Sequence, residues 1–420
     1  MLTQAPRGTR DILPEQVREW VYVENKFRDI CNRFGFEEIR TPMFEHTELF
    51  KRGVGETTDV VEKQMYSFDD NGGRNITLKA EGTAPVARAY VENKLYANSQ
   101  PVKLFYITPC FRYERPQAGR LRQFHQFGVE IFGTTNPLAD AEVIGVAVNL
   151  FDELGLQNLE VRINSIGCPN CRMAYRDTLK EYLKDKLEDL CDTCKSRYDR
   201  NPMRILDCKS EICQSSVKEA PRMIDYLCES CIHDFKTLQQ YLTAMEVDFI
   251  IDADIVRGLD YYTKTAFEIV SNEIGAQGTV CGGGRYDQLV EEIGGPPTTG
   301  VGFGLGIERL LLSLEKKGPV REEDNYTDVF IAFLGEKSKK TAVKLLKNLR
   351  YKGIKGQMDL AGRNLKSQFK YADRINASFT IIIGDDELKE NSVMLKDMES
   401  SGQEKIEISK VIEEIESRLK

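Results

Sequence analysis

No apolar run in this 420-residue chain approaches the roughly 20 residues that a membrane-spanning helix needs. The opening "MLTQAPRGTRDILPEQ" carries no apolar core of signal-peptide length, so the expectation is a cytoplasmic protein with no membrane partner. There is no GxxxxGK(S/T) motif and no Rossmann fingerprint after a first strand, which excludes the two commonest nucleotide-binding loops. Cationic charge is not in excess either: 58 Lys and Arg stand against 66 Asp and Glu, a formal net charge of -8. A polyanion would have to be met by a local concentration of Lys and Arg. No internal repeat or low-complexity tract occurs, and 41% apolar with 30% charged residues excludes a disordered chain. The length is too great for one compact core, so two or three domains are expected.

Cysteine is plentiful. Of 11 in the chain, eight fall in one segment as the pairs Cys168 and Cys171, Cys191 and Cys194, Cys208 and Cys213, Cys228 and Cys231. Three of the pairs are CxxC, the spacing that lets two thiolates from one turn reach a single zinc ion at about 2.3 Å. In a reducing compartment disulfides are the poorer reading. Eight ligands could fill two tetrahedral sites, with free buried thiols as the alternative. Spacing does not say which pair would share an ion with which. A closed thiolate site leaves no open coordination position, so such a metal would hold up a small domain and do no chemistry. The segment is read as an insertion.

Hydrophobic spacing divides the rest. Val17, Trp20, Val21, Phe27, Ile30, Cys31 and Phe34 recur at helical intervals and stop at Gly35, which predicts an amphipathic helix. From Phe36 to about Gly133, short apolar runs alternate with Gly, Pro and Asn turns and one helical stretch from about Thr83, the pattern of a largely antiparallel sheet. Strands resume after the insertion with "DFIIDADIVRGLDYYTKTAFEIV", "GTVCGGGRYDQLVEEIG" and "TTGVGFGLGIERLLLSLEKKG". The charged "EKKGPVREEDNYTD" reads as a linker. Beyond it "DVFIAFLG", "SKKTAVKLLKNLRYKG", "SFTIIIG" and "SKVIEEIESRLK" alternate as strand, helix, strand, helix in a small α/β domain.

Three stretches carry chemistry. In "FYITPCFRYERPQAGRLRQFHQFGVEIFG" a strand (104 to 108), a loop and a returning strand (126 to 132) would pair as a hairpin. Arg112 and Glu114 would then share a face, as would Phe124, Gln126, Gly128 and Glu130. That face offers a guanidinium fork for phosphate, a ring for stacking, and an amide and carboxylate for a polar ligand. A charged surface hairpin is the plainer alternative. "TTGVGFGLGIERL" sets four glycines before a helix bearing Arg309, which suits close backbone approach and anions, although tight packing also produces such runs. "CGGGRYD" reads as backbone clearance beside a pocket. "RGLDYYTKTAFEI" places Arg257, Asp260, Tyr261 and Tyr262 just ahead of a buried strand; core packing is the other account of the tyrosines.

In chain order, "GFEEIRTPMFEHTELF", "FRYERPQAGRLRQFHQFG" and "GFGLGIERL" resemble motifs 1, 2 and 3 of class II aminoacyl-tRNA synthetases. Within that class "RGLDYYTKTAFEI" resembles the histidine-specific motif of the histidyl-tRNA synthetase family. The likeness runs from Arg7 to the C-terminal helix, and the four motifs together are very specific. It implies an α+β fold: a class II catalytic domain with a six-stranded largely antiparallel sheet, an insertion domain, and a C-terminal α/β anticodon-binding domain. The expected boundaries are 1–167 and 246–322 for the two parts of the catalytic domain, 168–245 for the insertion and 326–420 for the anticodon-binding domain.

The implied activity is ligation of histidine to its tRNA. L-Histidine and ATP, with Mg2+, would give histidyl-adenylate and pyrophosphate, and the tRNA terminal hydroxyl would then take the acyl group. Arg112 would bind the α-phosphate, Glu114 the adenine amino group, Phe124 would stack on adenine and Arg309 would hold the γ-phosphate. Arg257 would face the α-phosphate opposite Arg112, a fixed cation where charge develops. Glu81, Gly82, Thr83 and Gln126 would receive the α-amino group of histidine. Glu130 and Tyr262 would bracket the imidazole, one accepting from a ring N–H and the other serving the second nitrogen, with Tyr261 lining the pocket. A ligand without the ring leaves both groups unpaired. Asp260 is read as a structural partner for a nearby donor.

No Ser, Cys or His nucleophile is needed, because the substrate carboxylate is the attacking group and catalysis is positioning plus electrostatics. Of the three histidines, His46, His125 and His233, the alternation turns His125 away from the Phe124 and Gln126 face, in a structural or tRNA-proximal position. Arg115, Gln117, Arg120 and Arg122 lie in the loop that in this class meets the acceptor stem; a solvated charged loop, or phosphate binding by Arg120, is the alternative. Arg363, Lys366, Lys370 and Arg374 are the cluster expected of the anticodon-binding domain, provided they share one face. Motif 1 implies a homodimer. Two features depart from the family pattern: Lys79 and Ala80 stand where Arg and Pro are usual, and the cysteine-rich insertion is not general, so its zinc rests on spacing alone. Against a catalytically silent relative such as a regulatory subunit of ATP phosphoribosyltransferase, an RNA sensor, or another class II enzyme stand the retained arginines, Tyr261, the Glu130 and Tyr262 pairing, and a complete C-terminal domain.

Overall fold

The structure, a computed structural model, describes residues 3–55, 58–206, 208, 210–271, 278–315 and 327–419. Most of the linker expected between 315 and 328 lies outside the described residues. The chain divides into two compact units, Met1–Val320 and Arg321–Lys420.

In the first unit, helix α1 (Pro14–Arg33) begins with Pro in its first turn and gives way at Gly35, whose φ of +74° suits a residue without a side chain. It buries Trp20, Val23, Phe27, Ile30 and Cys31, with Phe27 stacked on Phe127 at 4.5 Å. Val17 and Val21, expected on that face, are exposed. Val21 lies roughly 100° around the helix from Trp20, off the stripe that runs at spacings of three and four, and Val17 sits in the first turn short of the core.

The main sheet has eight strands: β1 (Glu37–Glu38), β2 (Val102–Phe111), β3 (Gln123–Phe132), β4 (Leu159–Ser165), β5 (Phe249–Ile251), β6 (Thr263–Ser271), β7 (Thr279–Arg285) and β8 (Gly300–Gly306). Their order is β1-β2-β3-β8-β7-β6-β4-β5. The six central strands are antiparallel, which is the sheet that the sequence led us to expect; the two additional strands are short parallel edges, β1 beside β2 and β5 beside β4. The hairpin of β2 and β3 pairs Tyr106 with Gly128 and Thr108 with Gln126, so Phe124, Gln126, Gly128 and Glu130 do share a face. A three-stranded sheet (44–46, 67–69, 75–78) precedes α2 (Thr83–Glu92), the helix expected from Thr83. Helix α3 (Pro137–Glu153) is capped by the Asn136 side chain, which accepts from the Leu138 N–H at 2.9 Å.

The cysteine-rich segment is mostly helical, with α4 (Pro169–Lys184), α5 (Asp192–Arg200) and α6 (Glu229–Ala244). It has its own small core, in which Tyr175, Leu179, Leu183 and Ile205 pack with the cysteines. Helix α6 returns to the main core through Phe235, Leu238 and Leu242. Helix α7 (Ile307–Glu315) follows β8 directly.

The second unit has a five-stranded sheet of β9 (Thr327–Phe333), β10 (Gly356–Met358), β11 (Ala377–Ile383), β12 (Ser392–Asp397) and β13 (Gln403–Glu407) in the order β10-β9-β11-β12-β13. Helices α8 (Glu336–Tyr351), α9 (Leu365–Arg374) and α10 (Val411–Arg418) accompany it. Both expected strands and both expected helices are present. The sequence reading missed β10, α9, β12 and β13, whose apolar patterns are short and weak.

Candidate active site

One cleft of about 780 Å3 opens over the face of β3, β8, β7 and β6. Its walls include Arg112, Glu114, Arg120 and Phe124 from the hairpin, Glu81 and Thr83 from the turn into α2, Arg257, Tyr261 and Tyr262, and Arg309 from α7. Gln126 and Gly304 also line it. Stretches far apart in sequence thus converge on one space.

The polar groups are held in place by the fold. The Glu81 carboxylate, nearly fully buried, accepts the backbone N–H groups of Thr83 and Ala84, each at 2.7 Å, at the start of α2. Burial raises its pKa, and those donors hold the rise back. Gln126 Oε1 accepts the Gly82 N–H at 3.1 Å, which fixes the amide between the hairpin and that turn. Glu130 has no exposed surface and takes hydrogen bonds from the Tyr286 and Tyr106 hydroxyls. Burial pushes its pKa up to about 8. Tyr261 and Tyr262 stand with ring centroids 4.6 Å apart, and Tyr261 meets Tyr286 edge-on at 5.6 Å.

Arg257 precedes β6 in a loop, and its Nη1 donates to Glu268 at 2.6 Å. Burial opposes its charge, but Tyr262 and Glu268 more than offset that and raise its pKa. Its buried Nε has no hydrogen-bond partner among the described residues. Such an orphaned donor beside a cleft is what an anionic ligand would satisfy. Gly282 supplies the room, since a Cβ there would meet Arg257 Nη2 at 2.6 Å. This is the clearance read from "CGGGRYD". Arg112 Nε donates to the Ala80 carbonyl at 2.8 Å and its guanidinium lies 5.3 Å from the Phe124 ring. Arg309 Nη1 donates to the Thr279 carbonyl at 2.7 Å, and burial together with the nearby Arg120 and Arg112 lowers its pKa.

Of the other expected residues, Arg120 alone lines the cleft. Arg115 and Gln117 are exposed on the hairpin loop, Arg120 pairs with Glu114 at 3.5 Å, and Arg122 stacks on Tyr113 at 3.9 Å. Lys79 is fully buried and donates to the Thr41 hydroxyl at 3.0 Å, a scaffold contact outside the cleft. Asp260 accepts from Asn201 Nδ2 at 3.0 Å, the structural partnership anticipated for it. His125 is turned to Trp20, edge-on at 4.8 Å, and to Glu308. Lys366, Lys370 and Arg374 are exposed at intervals of four along α9, so they share one face; Arg363 instead pairs with buried Asp359 at 2.6 Å. The sequence reading missed Tyr286, Tyr106 and Glu268. Only the pairing of Tyr106 with Gly128 gave a signal, because glycine opposite a tyrosine leaves room for the ring.

All eleven cysteines are free thiols, and eight of them form two clusters: Cys168, Cys171, Cys228 and Cys231, and Cys191, Cys194, Cys208 and Cys213. Within each, the four sulfurs lie within 4.8 Å of one another. A tetrahedron of 2.3 Å zinc–sulfur bonds has edges of about 3.8 Å. Sulfur separations of 3.5 Å (Cys168 to Cys171) and 3.8 Å (Cys191 to Cys208) are near that, and the pair Cys168 and Cys171 groups with Cys228 and Cys231, the pair Cys191 and Cys194 with Cys208 and Cys213.

The family model described as Histidyl-tRNA synthetase matches residues 8–310. The chain belongs to the histidyl-tRNA synthetase family. A second family model, Anticodon binding domain, matches residues 328–418, within the second unit. Curated relatives called histidine–tRNA ligase include those of Clostridioides difficile, 58% identical, and Thermoanaerobacter sp. (strain X514), 60% identical, each aligned over the whole of both chains. The crystal structure of apo S. aureus histidyl-tRNA synthetase is similar with a TM-score of 0.85 at 42% identity, covering 98% of this chain and 99% of that one. No helix among the described residues of this synthetase family member is long and apolar enough to cross a membrane.

Proposed function

We propose that the chain is a histidine–tRNA ligase that makes histidyl-adenylate from L-histidine and ATP and passes histidine to the 3′ end of its tRNA. The observation that carries this is the convergence, in one cleft, of three arginines and a stacking ring with the buried tyrosines and the Glu81, Thr83 and Gln126 set. In this reading Arg112 and Arg257 take the α-phosphate, Arg309 the γ-phosphate, Phe124 the adenine ring and Glu114 its amino group. Glu81, Gly82, Thr83 and Gln126 hold the α-amino group, and Glu130 with Tyr262 holds the imidazole, Tyr261 closing the wall. Histidine is selected because another amino acid does not use the acceptor capacity that buried Glu130 keeps beyond its two tyrosine partners, nor the Tyr262 phenol. The rate comes from cations fixed where phosphate charge develops.

Mg2+ takes oxygen ligands and is usually held through one or two carboxylates and substrate phosphates. Glu268 and Glu308 line the cleft beside Arg257 and Arg309 and fit that donor set, so the ion would enter with ATP and neutralise its phosphates. Arg115, Gln117, Arg120 and Arg122 are assigned to the acceptor stem, with Arg115 and Gln117 freest of the cleft. Lys366, Lys370 and Arg374 form the anticodon-side patch, and Arg363 supports it. Each cysteine cluster is assigned a structural zinc, the insertion running from 168 to 245 with α6 tying it back to the catalytic core. Exposed Met43 and Phe44 belong to the motif 1 stretch, with Leu13 and Val21 exposed at the first helix before it, and these support a homodimer. Free thiols and cytosolic substrates support a cytoplasmic location.

The test is exchange of pyrophosphate into ATP with magnesium, trying each of the twenty amino acids without tRNA. Exchange that depends on histidine alone is expected; folded protein that exchanges with none, or with another amino acid, overturns the reading.

A further inference from the structure

We propose that the cluster of Cys191, Cys194, Cys208 and Cys213 is a zinc centre that holds the Arg257–Tyr262 loop in its working position, so that metal in the insertion governs amino-acid activation. The proposal rests on the reading of the cleft as the activation site and goes beyond a scaffold role for the metal.

The cluster brackets one stretch of chain. Cys191 and Cys194 open α5, and Cys208 follows the turn at Pro202–Ile205. Between them the residues from Lys195 to Leu206 send four side chains out of the insertion to the Arg257–Tyr262 loop and to the segment around Val60. Arg204, itself only 5% exposed, donates from Nη1 to the Arg257 carbonyl at 3.0 Å. Asn201 donates to Asp260 at 3.0 Å. The loop that carries Arg257, Tyr261 and Tyr262 is thus gripped at two points. Arg197 and Arg200 pair with Asp59 at 3.0 Å and Glu62 at 2.8 Å, on either side of Val60, which lines the cleft. Arg197 also donates to the Arg204 carbonyl at 3.3 Å, which ties these contacts together.

Apolar packing holds the far end of this stretch, where Ile205 is buried in the insertion's core, but gives little to α5. In α5, nine residues long with the sequence DTCKSRYDR, the one buried residue is Cys194. So short and polar a helix is unstable alone. Four thiolates on one ion would pin its first turn and, through Cys208 and Cys213, the far end of the stretch. The other cluster has a different place. It joins the start of α4 to the start of α6 and clips the insertion at its root.

The experiment uses the full chain purified with zinc under reducing conditions, with metal content and histidine-dependent pyrophosphate exchange measured together. Two zinc ions per chain are expected, one for each cluster, with Cys191→Ser and Cys168→Ser each losing one. Cys191→Ser should lower kcat for exchange at least about tenfold with a smaller change in KM for histidine, since a displaced Arg257 acts on the transition state. Arg204→Ala should keep both ions and show the same kcat loss, while Arg204→Lys, which retains a donor for the Arg257 carbonyl, should recover much of it. A fully active chain without zinc overturns the metal assignment. Loss of one zinc in Cys191→Ser with wild-type exchange overturns the coupling and leaves the metal standing. If Cys191→Ser fails to fold, Arg204→Ala decides: wild-type kcat overturns the coupling, a selective kcat loss supports it. Failure of the activation reading is distinguishable, because the unaltered chain would then show no histidine-dependent exchange.

Discussion

Glu130 has no exposed surface, and burial pushes its pKa up to about 8, so at pH 7 the free site holds it mostly protonated. In the proposed complex Glu130 accepts from a ring N–H of neutral imidazole as the carboxylate, the stronger acceptor. Between the imidazole pKa of free histidine, roughly 6.5, and about 8, binding therefore releases one proton. Calorimetry at several pH values should show the Kd for histidine falling roughly tenfold per pH unit in that window and levelling above it. A flat Kd would mean that no proton leaves, with the ring bound as imidazolium or Glu130 still protonated. Arg257→Ala should reduce adenylate formation by about 10²–10³-fold while histidine binding is largely kept, as expected for a donor used at the transition state. Rapid-quench measurement of adenylate alongside equilibrium binding separates the two; equal loss of both would make Arg257 structural. Arg285 and Asp140 form an ion pair, 2% and 1% exposed, next to Tyr286. Asp140→Ala leaves the buried guanidinium to Asp287 at 3.5 Å and two backbone carbonyls, and should cost up to about 3–5 kcal/mol by denaturant unfolding.

Among the elements, β8 shows most directly how a strand serves a site. Every second residue from Gly300 to Gly306 is glycine, and the face they leave bare is occupied by side chains of the pocket. A Cβ at Gly302 would run into Glu130, whereas one at Gly304 would meet only the end of the flexible Gln126 side chain at 3.3 Å. Gly302→Ala should therefore abolish histidine-dependent exchange and destabilise the fold by about 1–3 kcal/mol, while Gly304→Ala leaves stability near wild type. Melting curves with exchange assays make the comparison. The glycines were visible in the sequence as a run suited either to anion binding or to tight packing. Their partner across the sheet, Glu130, could not be read, because the β3–β8 pairing joins residues far apart in the chain. The opening helix was legible for the opposite reason: its spacing is local, although Val17 and Val21 were placed on its buried face and buried Val23 was passed over.

At the scale of the molecule the two units have separate cores, the second built on Val329, Ile331, Leu345, Leu349 and Ile381. A fragment of residues 327–420 should melt cooperatively by calorimetry on its own. A fragment ending at 320 should keep histidine-dependent exchange and lose most tRNA charging. Loss of exchange in a folded fragment would show that the second unit supports the active site.

The sequence by itself determined the opening helix, the helix from Thr83, the hairpin and the order of the motifs, because periodicity and motif spacing are properties of neighbouring positions. Only the tertiary structure decided which cysteines share a cluster, that Tyr106 and Tyr286 hold Glu130, and that Arg204 grips the loop before β6. Those contacts depend on strand order and on where the insertion folds back, and they join residues whose separation in sequence leaves no local pattern to read.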